Sequence, residues 1–258
     1  MKNNQIEPIL EFNESLWIKL KTVLHQTANE SKTSKIAAFD ADGTLWDADA
    51  GETFFDWQIE NCRPQLPLLP VDPWAQYLNL KKQDPRIAYV WLAQINAGMP
   101  LTQVQTWAKT CFNEFPQWPI FQSQVQLIDL LKSLNFEIYI VTASIKWAVE
   151  PLAMKLGIPE ANVLGVTTQV IDGHVSNEPV YPITWRDGKA ESLLKATGGV
   201  RPLLACGNTL GDLALLETAT HLPFAVSTQT QPGSKLYEEE VKLTQEAEKR
   251  NWLYHPFH

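Results

Sequence analysis

Ile36-Ala37-Ala38-Phe39 carries no polar side chain and runs straight into Asp40-Ala41-Asp42-Gly43-Thr44. A short apolar run without alternation reads as a strand buried on both faces, as in a parallel sheet covered by helices. Its end is then the rim of that sheet, where a glycine turn presents two carboxylates. Side chains alternate along extended chain, so residues two apart project to the same side and Asp40 and Asp42 are expected to be neighbours. Two such charges about 4 Å apart at an effective dielectric near 20 repel by roughly 4 kcal/mol. A hard divalent cation, magnesium above all, offsets that repulsion. One carboxylate that attacks phosphorus, beside a second that shuttles protons, suits covalent catalysis through an aspartyl phosphate. The plain alternative is a strand that ends in an Asp-Gly turn.

A chain of 258 residues suffices for one large α/β unit or for a core with a smaller insertion. Net charge is −8, from 21 Lys+Arg against 29 Asp+Glu, with no basic block. Nucleic acid is therefore not an expected partner, and a phosphate site must be positive only locally. Residues 1–11 are polar and lack the apolar heart of a signal peptide, and no apolar run reaches membrane-spanning length. No membrane partner is expected, and the cytoplasm is the expected compartment. Cys62, Cys111 and Cys206 stand far apart without a CxxC or Cys/His spacing, which makes them packing residues rather than a disulfide frame or zinc site.

Leu16, Leu20, Val23 and Leu24 recur at helical spacing, which predicts a first amphipathic helix ending near residue 26. From 47 to 118 the chain alternates short helical stretches with breaks at Pro64, Pro67, Pro70, Pro73, Pro85, Pro100 and Pro116, and no strand signal occurs. A helix then ends at Asn135, and the β-prone run 136–141 is closed by Thr142-Ala143-Ser144. A short strand is expected over 163–166, a hairpin over 167–176 with Asp172-Gly173 as its turn, and a helix over 187–196. Residues 202–206 form another buried strand, leading into the loop 207–212 and a helix through Ala219. Phe224-Ala225-Val226 is expected to be the last strand, and 235–251 a charged helix with a solvated Glu- and Lys-rich face. Strands alternating with helices imply a doubly wound, mostly parallel α/β sheet, which binds ligands beyond its carboxyl strand ends. Three strands here end in chemically useful groups: Asp40 and Asp42, Thr142 and Ser144, and Asn208, Thr209 and Asp212.

These separated motifs, in order from Asp40 to Asp212, resemble the haloacid dehalogenase-like (HAD) superfamily of phosphohydrolases over nearly the whole chain. The resemblance implies a Rossmann-like core at 1–46 and 119–258 with a small all-helical cap at 47–118. It makes Asp40 the nucleophile, Asp42 the general acid/base, Thr142 a phosphate hydrogen-bond donor and Lys189 the cation facing the phosphoryl group. Gly43, Thr44 and Ala143 join Thr142 and Lys189 around the phosphate, and Asp40, Asp42, Asn208 and Asp212 are the magnesium candidates. Positioned donors and cations suit a phosphoryl group whose negative charge spreads over its oxygens in flight. Asn208 departs from the pattern, which more often has an aspartate there, and a weaker metal site is expected. Asp212 could bind the ion, act through water or orient Lys189. An acid at position 42 separates this chain from the dehalogenases themselves and favours ester hydrolysis.

Residues 166–168 and 184–189 are similar to phosphoserine phosphatases and, more loosely, to phosphorylcholine phosphatases. A small phosphorylated metabolite is the implied partner, and an amine or choline-like head group fits. Trp46, Trp57 and Trp185 could then offer cation–π contacts, while Asp49 and Glu52 could pair with an amine. Solvated turn positions are the plain alternative for the two acids. Most aromatics of the 47–118 segment are expected to pack its own interior, with one or two facing the site. A phosphotransferase would share the first half-reaction, and a non-catalytic phosphate- or protein-binding module is the rival from another class.

Overall fold

The first strand, β1 (Ile36–Phe39), sends Ala37 and Phe39 into one apolar cluster and Ile36 and Ala38 into another. Both faces are covered, which is why the run has no polar residue. The computed structural model describes residues 12–28, 34–115, 117–228, 231–234 and 236–257. In it β1 lies between β2 (Glu137–Ile145) and β6 (Leu204–Gly207). The sheet continues from β2 to β3 (Val163–Val166), and from β6 through β7 (Leu222–Ser227) to β8 (Leu253–Pro256). Every pairing in this sheet is parallel, with Phe39 opposite Ile140 on one side and Cys206 on the other. The order β3-β2-β1-β6-β7-β8 reverses its direction of growth at β1. A crevice opens at such a switch point, beyond the carboxyl ends of the strands.

Helices α1 (Glu14–Ala28), α6 (Gln122–Ser133) and α7 (Lys146–Lys155) cover one face with residues such as Leu20, Leu127 and Leu152. The other face meets α8 (Asp187–Ala196) through Leu193 and α9 (Leu213–Glu217) through Leu215, while α10 (Tyr237–Lys249) sets Leu243 and Ala247 against Ala225. All three cysteines are buried and free, as packing residues would be.

Between β1 and β2 come α2 (Ala50–Asn61), α3 (Pro73–Gln83), α4 (Pro85–Gln94) and α5 (Leu101–Asn113). Several prolines that interrupt this segment start helices rather than merely breaking them. Pro73 and Pro85 sit in first turns, behind Asp72 and Asp84, whose side chains accept hydrogen bonds from the backbone nitrogens of Ala75 and Arg86. Phe54, Phe55, Tyr77 and Phe112 are buried there, with Phe55 5.2 Å from Trp74 and 5.6 Å from Trp91 between ring centroids. These side chains belong to the same contiguous cluster as the covered face of β1. The segment also rests on the hairpin of β4 (Thr168–Ile171) and β5 (His174–Pro179), where Gly98 and Leu101 donate backbone hydrogen bonds to Val175 and Gly173. Asp172 and Gly173 turn that hairpin with φ of 50° and 78°, the left-handed pair a two-residue turn needs.

Several expectations need correction. Phe224–Val226 is not the last strand, because the chain returns after α10 to add β8 at the sheet edge. The strand expected to close at Ser144 extends to Ile145, with an irregular register against β3 after Val141. Helix α7 was not foreseen, since it is buried almost all round and carries Pro151, which leaves no amphipathic period to read. The hairpin runs on to Pro179, and α10 is solvated on most sides but buries Glu240. The polar stretch 1–11, Pro116 and Lys235 lie outside the described residues. No helix among the described residues is long and apolar enough to cross a membrane.

Candidate active site

The switch point between β1 and β6 opens into a cavity of about 390 Å³. Asp40, Asp42 and Gly43 reach it from the end of β1, Thr142, Ala143 and Ser144 from the end of β2, and Asn208 and Thr209 from the end of β6. Lys189, in the first turn of α8, completes the floor. Gly188 sets that helix start in place: a Cβ there would stand 1.8 Å from the carbonyl oxygen of Ile183, so only glycine permits the approach.

Lys189 Nζ donates to Asp40 Oδ1 at 2.6 Å and to Asp212 Oδ1 at 2.5 Å, and all three side chains are buried. The second oxygen of Asp212 accepts from the backbone nitrogens of Asn208 and Thr209 at 3.1 and 3.0 Å and from Thr209 Oγ1 at 3.1 Å. Asp212 therefore ties Lys189 to the 208–212 loop and does not line the cavity, the arrangement of a residue that orients the lysine. Burial and the charge of Asp212 push the Asp40 carboxyl up to about 6, against the pull of Lys189. For Lys189 burial favours the neutral amine, but the two carboxylates outweigh it and hold its pKa above the ordinary range.

Asp42 shares the cavity and is partly exposed to it. Its Oδ1 accepts from Trp46 Nε1 at 2.7 Å and from the Ala50 backbone nitrogen at 2.8 Å, and its Oδ2 from Ser144 Oγ at 2.5 Å. Depth in the protein and the charge of Asp49 raise its pKa to about 7, although Ser144 and Ala50 pull the other way. A carboxyl balanced near neutrality can give and take a proton. The sequence marked Ser144, with Thr142, as a chemically useful group at a strand end, but not as a partner of Asp42. Its spacing of two from Thr142 was the signal that it faces the same rim.

Asn208 is buried, with Thr44 Oγ1 donating to its Oδ1 at 3.3 Å and its Nδ2 donating to Glu240 Oε1 at 3.0 Å. Gly43, at φ 76°, lies so close that a Cβ would come within 2.1 Å of Asn208 Nδ2. Among the described residues no three His, Cys, Asp or Glu side chains are grouped to hold a metal ion. The cavity nevertheless brings together Asp40, Asp42 and Asn208, all hard oxygen donors, and Asp40, Asp42 and Asp212 outnumber Lys189, the one buried cation among the described residues. That donor set and that excess of anion fit magnesium.

The remaining nominated residues divide. Asp49, Glu52 and Trp185 line the cavity, together with Tyr77 and Tyr89, the two aromatics of the helical segment that reach it. Asp49 caps α2 by accepting from the Glu52 backbone nitrogen at 2.8 Å, and Glu52 pairs with Lys81 at 3.3 Å. Trp185 is flanked by the guanidinium groups of Arg86 and Arg186, 5.9 and 4.9 Å from its ring centroid. Thr44 and Trp46 are fully buried behind the cavity wall, so Trp46 offers Asp42 its indole N–H rather than offering a ligand its face. Trp57 is outside the lining, stacked on Phe54 and bonded to Glu114 Oε2 at 2.8 Å. Lys81 and Arg186 also line the cavity and had not been singled out in the sequence.

The sequence matches the haloacid dehalogenase-like hydrolase family over residues 37–217. No curated protein matches it. Among solved structures, a conserved functionally unknown protein from Anaerococcus prevotii DSM 20548 is 15% identical with a TM-score of 0.69, over 98% of this chain and 94% of that one. A protein of unknown function from Bordetella pertussis Tohama I is 17% identical with a TM-score of 0.67, over 88% and 100%. A phospho-aspartyl intermediate analogue of phosphoserine phosphatase is 14% identical with a TM-score of 0.51, over 88% and 95%. These likenesses concern the fold, whereas the family match takes in β1 from Ala37, α8 and the 208–212 loop, and with them Asp40, Asp42, Thr142, Lys189 and Asn208. The chain belongs to the haloacid dehalogenase-like hydrolases.

Proposed function

We propose that this hydrolase is a magnesium-dependent phosphatase that cleaves a small phosphomonoester through a phosphoaspartate on Asp40. The observation that carries the reading is the pairing of two unlike carboxyls in one cavity. Asp40 is held against a buried ammonium group, and Asp42 is poised near pH 7. In the first half-reaction a carboxylate oxygen of Asp40 bonds to phosphorus, the bond to the ester oxygen breaks, and protonated Asp42 delivers its proton to the leaving alcohol. In the second, ionised Asp42 takes a proton from water as the water oxygen attacks phosphorus and releases Asp40. Lys189 stays paired to Asp40 throughout and offsets charge on the transferring group, while Thr142 and the backbone around Gly43 and Ala143 line its path. Asp40, Asp42 and Asn208 would hold the magnesium ion, which when bound supplies a Lewis acid for the phosphoryl oxygens.

We assign residues 47–118 as a cap over a core of 1–46 and 119–258, with closure excluding bulk water from the site while Asp40 attacks the ester. Asp49 and Glu52 on the cavity wall support an amine-bearing leaving group. Transfer to an alcohol instead of water would share the first half-reaction. Cytoplasmic residence remains part of the proposal. The test is phosphate release from a generic aryl phosphate with and without magnesium. Release that needs the ion and vanishes in Asp40→Asn is expected, and release that survives the substitution rules the reading out. A panel of phosphorylated metabolites, phosphoserine and phosphocholine included, then finds the substrate.

A further inference from the structure

Glu240 lies on α10, beyond the segment that matches the family, yet it is 1% exposed and reaches the cavity wall from behind. Its Oε1 accepts from Asn208 Nδ2 at 3.0 Å, Thr228 Oγ1 at 3.0 Å and the Thr228 backbone nitrogen at 3.2 Å. A carboxylate only accepts, so the face of the Asn208 amide toward Glu240 must be its NH₂. The carbonyl oxygen is thereby left for the side away from Glu240, where Thr44 Oγ1 donates to it, in a residue that lines the cavity. An aspartate at 208 would instead set two acceptor-only groups against each other in a buried site, where like charges cost most. We propose that Glu240 is a positioning residue that orients the Asn208 amide, making Asn208 a neutral oxygen ligand for the divalent cation. Position 208 and position 240 therefore form a matched pair: an amide in front requires a carboxylate behind.

This inference rests on the magnesium reading above, and its test avoids turnover. Four proteins are compared: wild type, Asn208→Asp, Glu240→Gln, and the double variant that exchanges carboxylate and amide between the two positions. Each is followed by thermal unfolding and by calorimetric titration of the metal-free protein with magnesium chloride. Asn208→Asp should lower Tm by at least about 4 °C, and adding Glu240→Gln should restore more than half of that loss, because the glutamine amide can donate to the new carboxylate. Glu240→Gln alone, which can present either a donor or an acceptor, should weaken magnesium binding about tenfold. Tm effects that simply add in the double variant overturn the pairing. If neither protein carrying Asn208→Asp folds, Glu240→Gln decides: wild-type magnesium affinity in that variant overturns the orienting role. Wild-type protein that binds no magnesium at millimolar concentration also overturns it, whatever its turnover. A wild type that binds the ion but releases no phosphate sinks the phosphatase reading and leaves this pairing standing.

Discussion

Ser144 Oγ donates to Asp42 Oδ2 at 2.5 Å, joining the end of β2 to the turn after β1. This bond stabilises the ionised carboxyl and opposes the burial and the Asp49 charge that hold Asp42 at about 7. Ser144→Ala should therefore leave Asp42 protonated to higher pH. In a pH profile of kcat/KM the alkaline fall should move upward by roughly half a unit to one unit. An unmoved limb would remove Ser144 from any role in tuning the acid.

Stability should depend on pH through the same group. The pKa of Asp42 is raised from 3.8 to about 7 on folding, so between those values the folded chain binds more protons than the unfolded one. Its contribution is fully present below pH 3.8 and is lost as pH rises through 7; Asp40, raised to about 6, acts in the same sense. Asp42→Asn cannot ionise, so relative to wild type it should gain stability as pH goes from 5 to 8. Urea unfolding of both proteins across that range measures the difference. A constant gap would mean that Asp42 is not shifted.

Lys189 is the one cation between two buried carboxylates, and Lys189→Met leaves Asp40 and Asp212 facing each other unpaired. Breaking a buried pair from one side costs about 3–5 kcal/mol. Turnover should also fall by at least about a hundredfold, the scale of losing one preorganised charge. Denaturant melts and initial rates read the two effects separately.

Two tryptophans nominated from sequence should respond in opposite ways. Trp46→Phe removes the indole donor 2.7 Å from Asp42 Oδ1 and should alter the pH profile along with the rate. Trp57→Phe keeps the stack on Phe54 and lies outside the cavity, so kcat/KM should stay within about twofold. Steady-state kinetics on one aryl phosphate compares them.

What could be read from sequence and what could not divides along physical lines. Runs such as 36–39 and 202–206, each ending in polar residues, announced the parallel sheet and its rim because full burial leaves a compositional trace. Asp40, Asp42, Thr142, Lys189 and Asn208 were legible as a group because each sits at a strand end or a helix start, where the motif spacing and the local element agree. Helix α7 was not, since burial on nearly all sides erases periodicity and Pro151 argues against a helix. Glu240 was hidden for a related reason: in a helix rich in solvated Glu and Lys, only its spacing with Leu243 and Ala247 marks it as buried. The role of Ser144 depends on a hydrogen bond to a residue 102 positions away, which no local pattern encodes, and that of Trp46 on its indole N–H turning to Asp42, four residues before it, instead of its face turning to a ligand.

The account stands on Asp40 becoming covalently phosphorylated. Wild-type protein and Asp40→Asn are mixed with an aryl phosphate and magnesium, quenched in acid within the turnover time, digested and examined by mass spectrometry. The account predicts one added phosphoryl group on the wild-type peptide containing Asp40, absent from the variant and lost on mild alkaline treatment. Phosphate release in both proteins with no such adduct would contradict it.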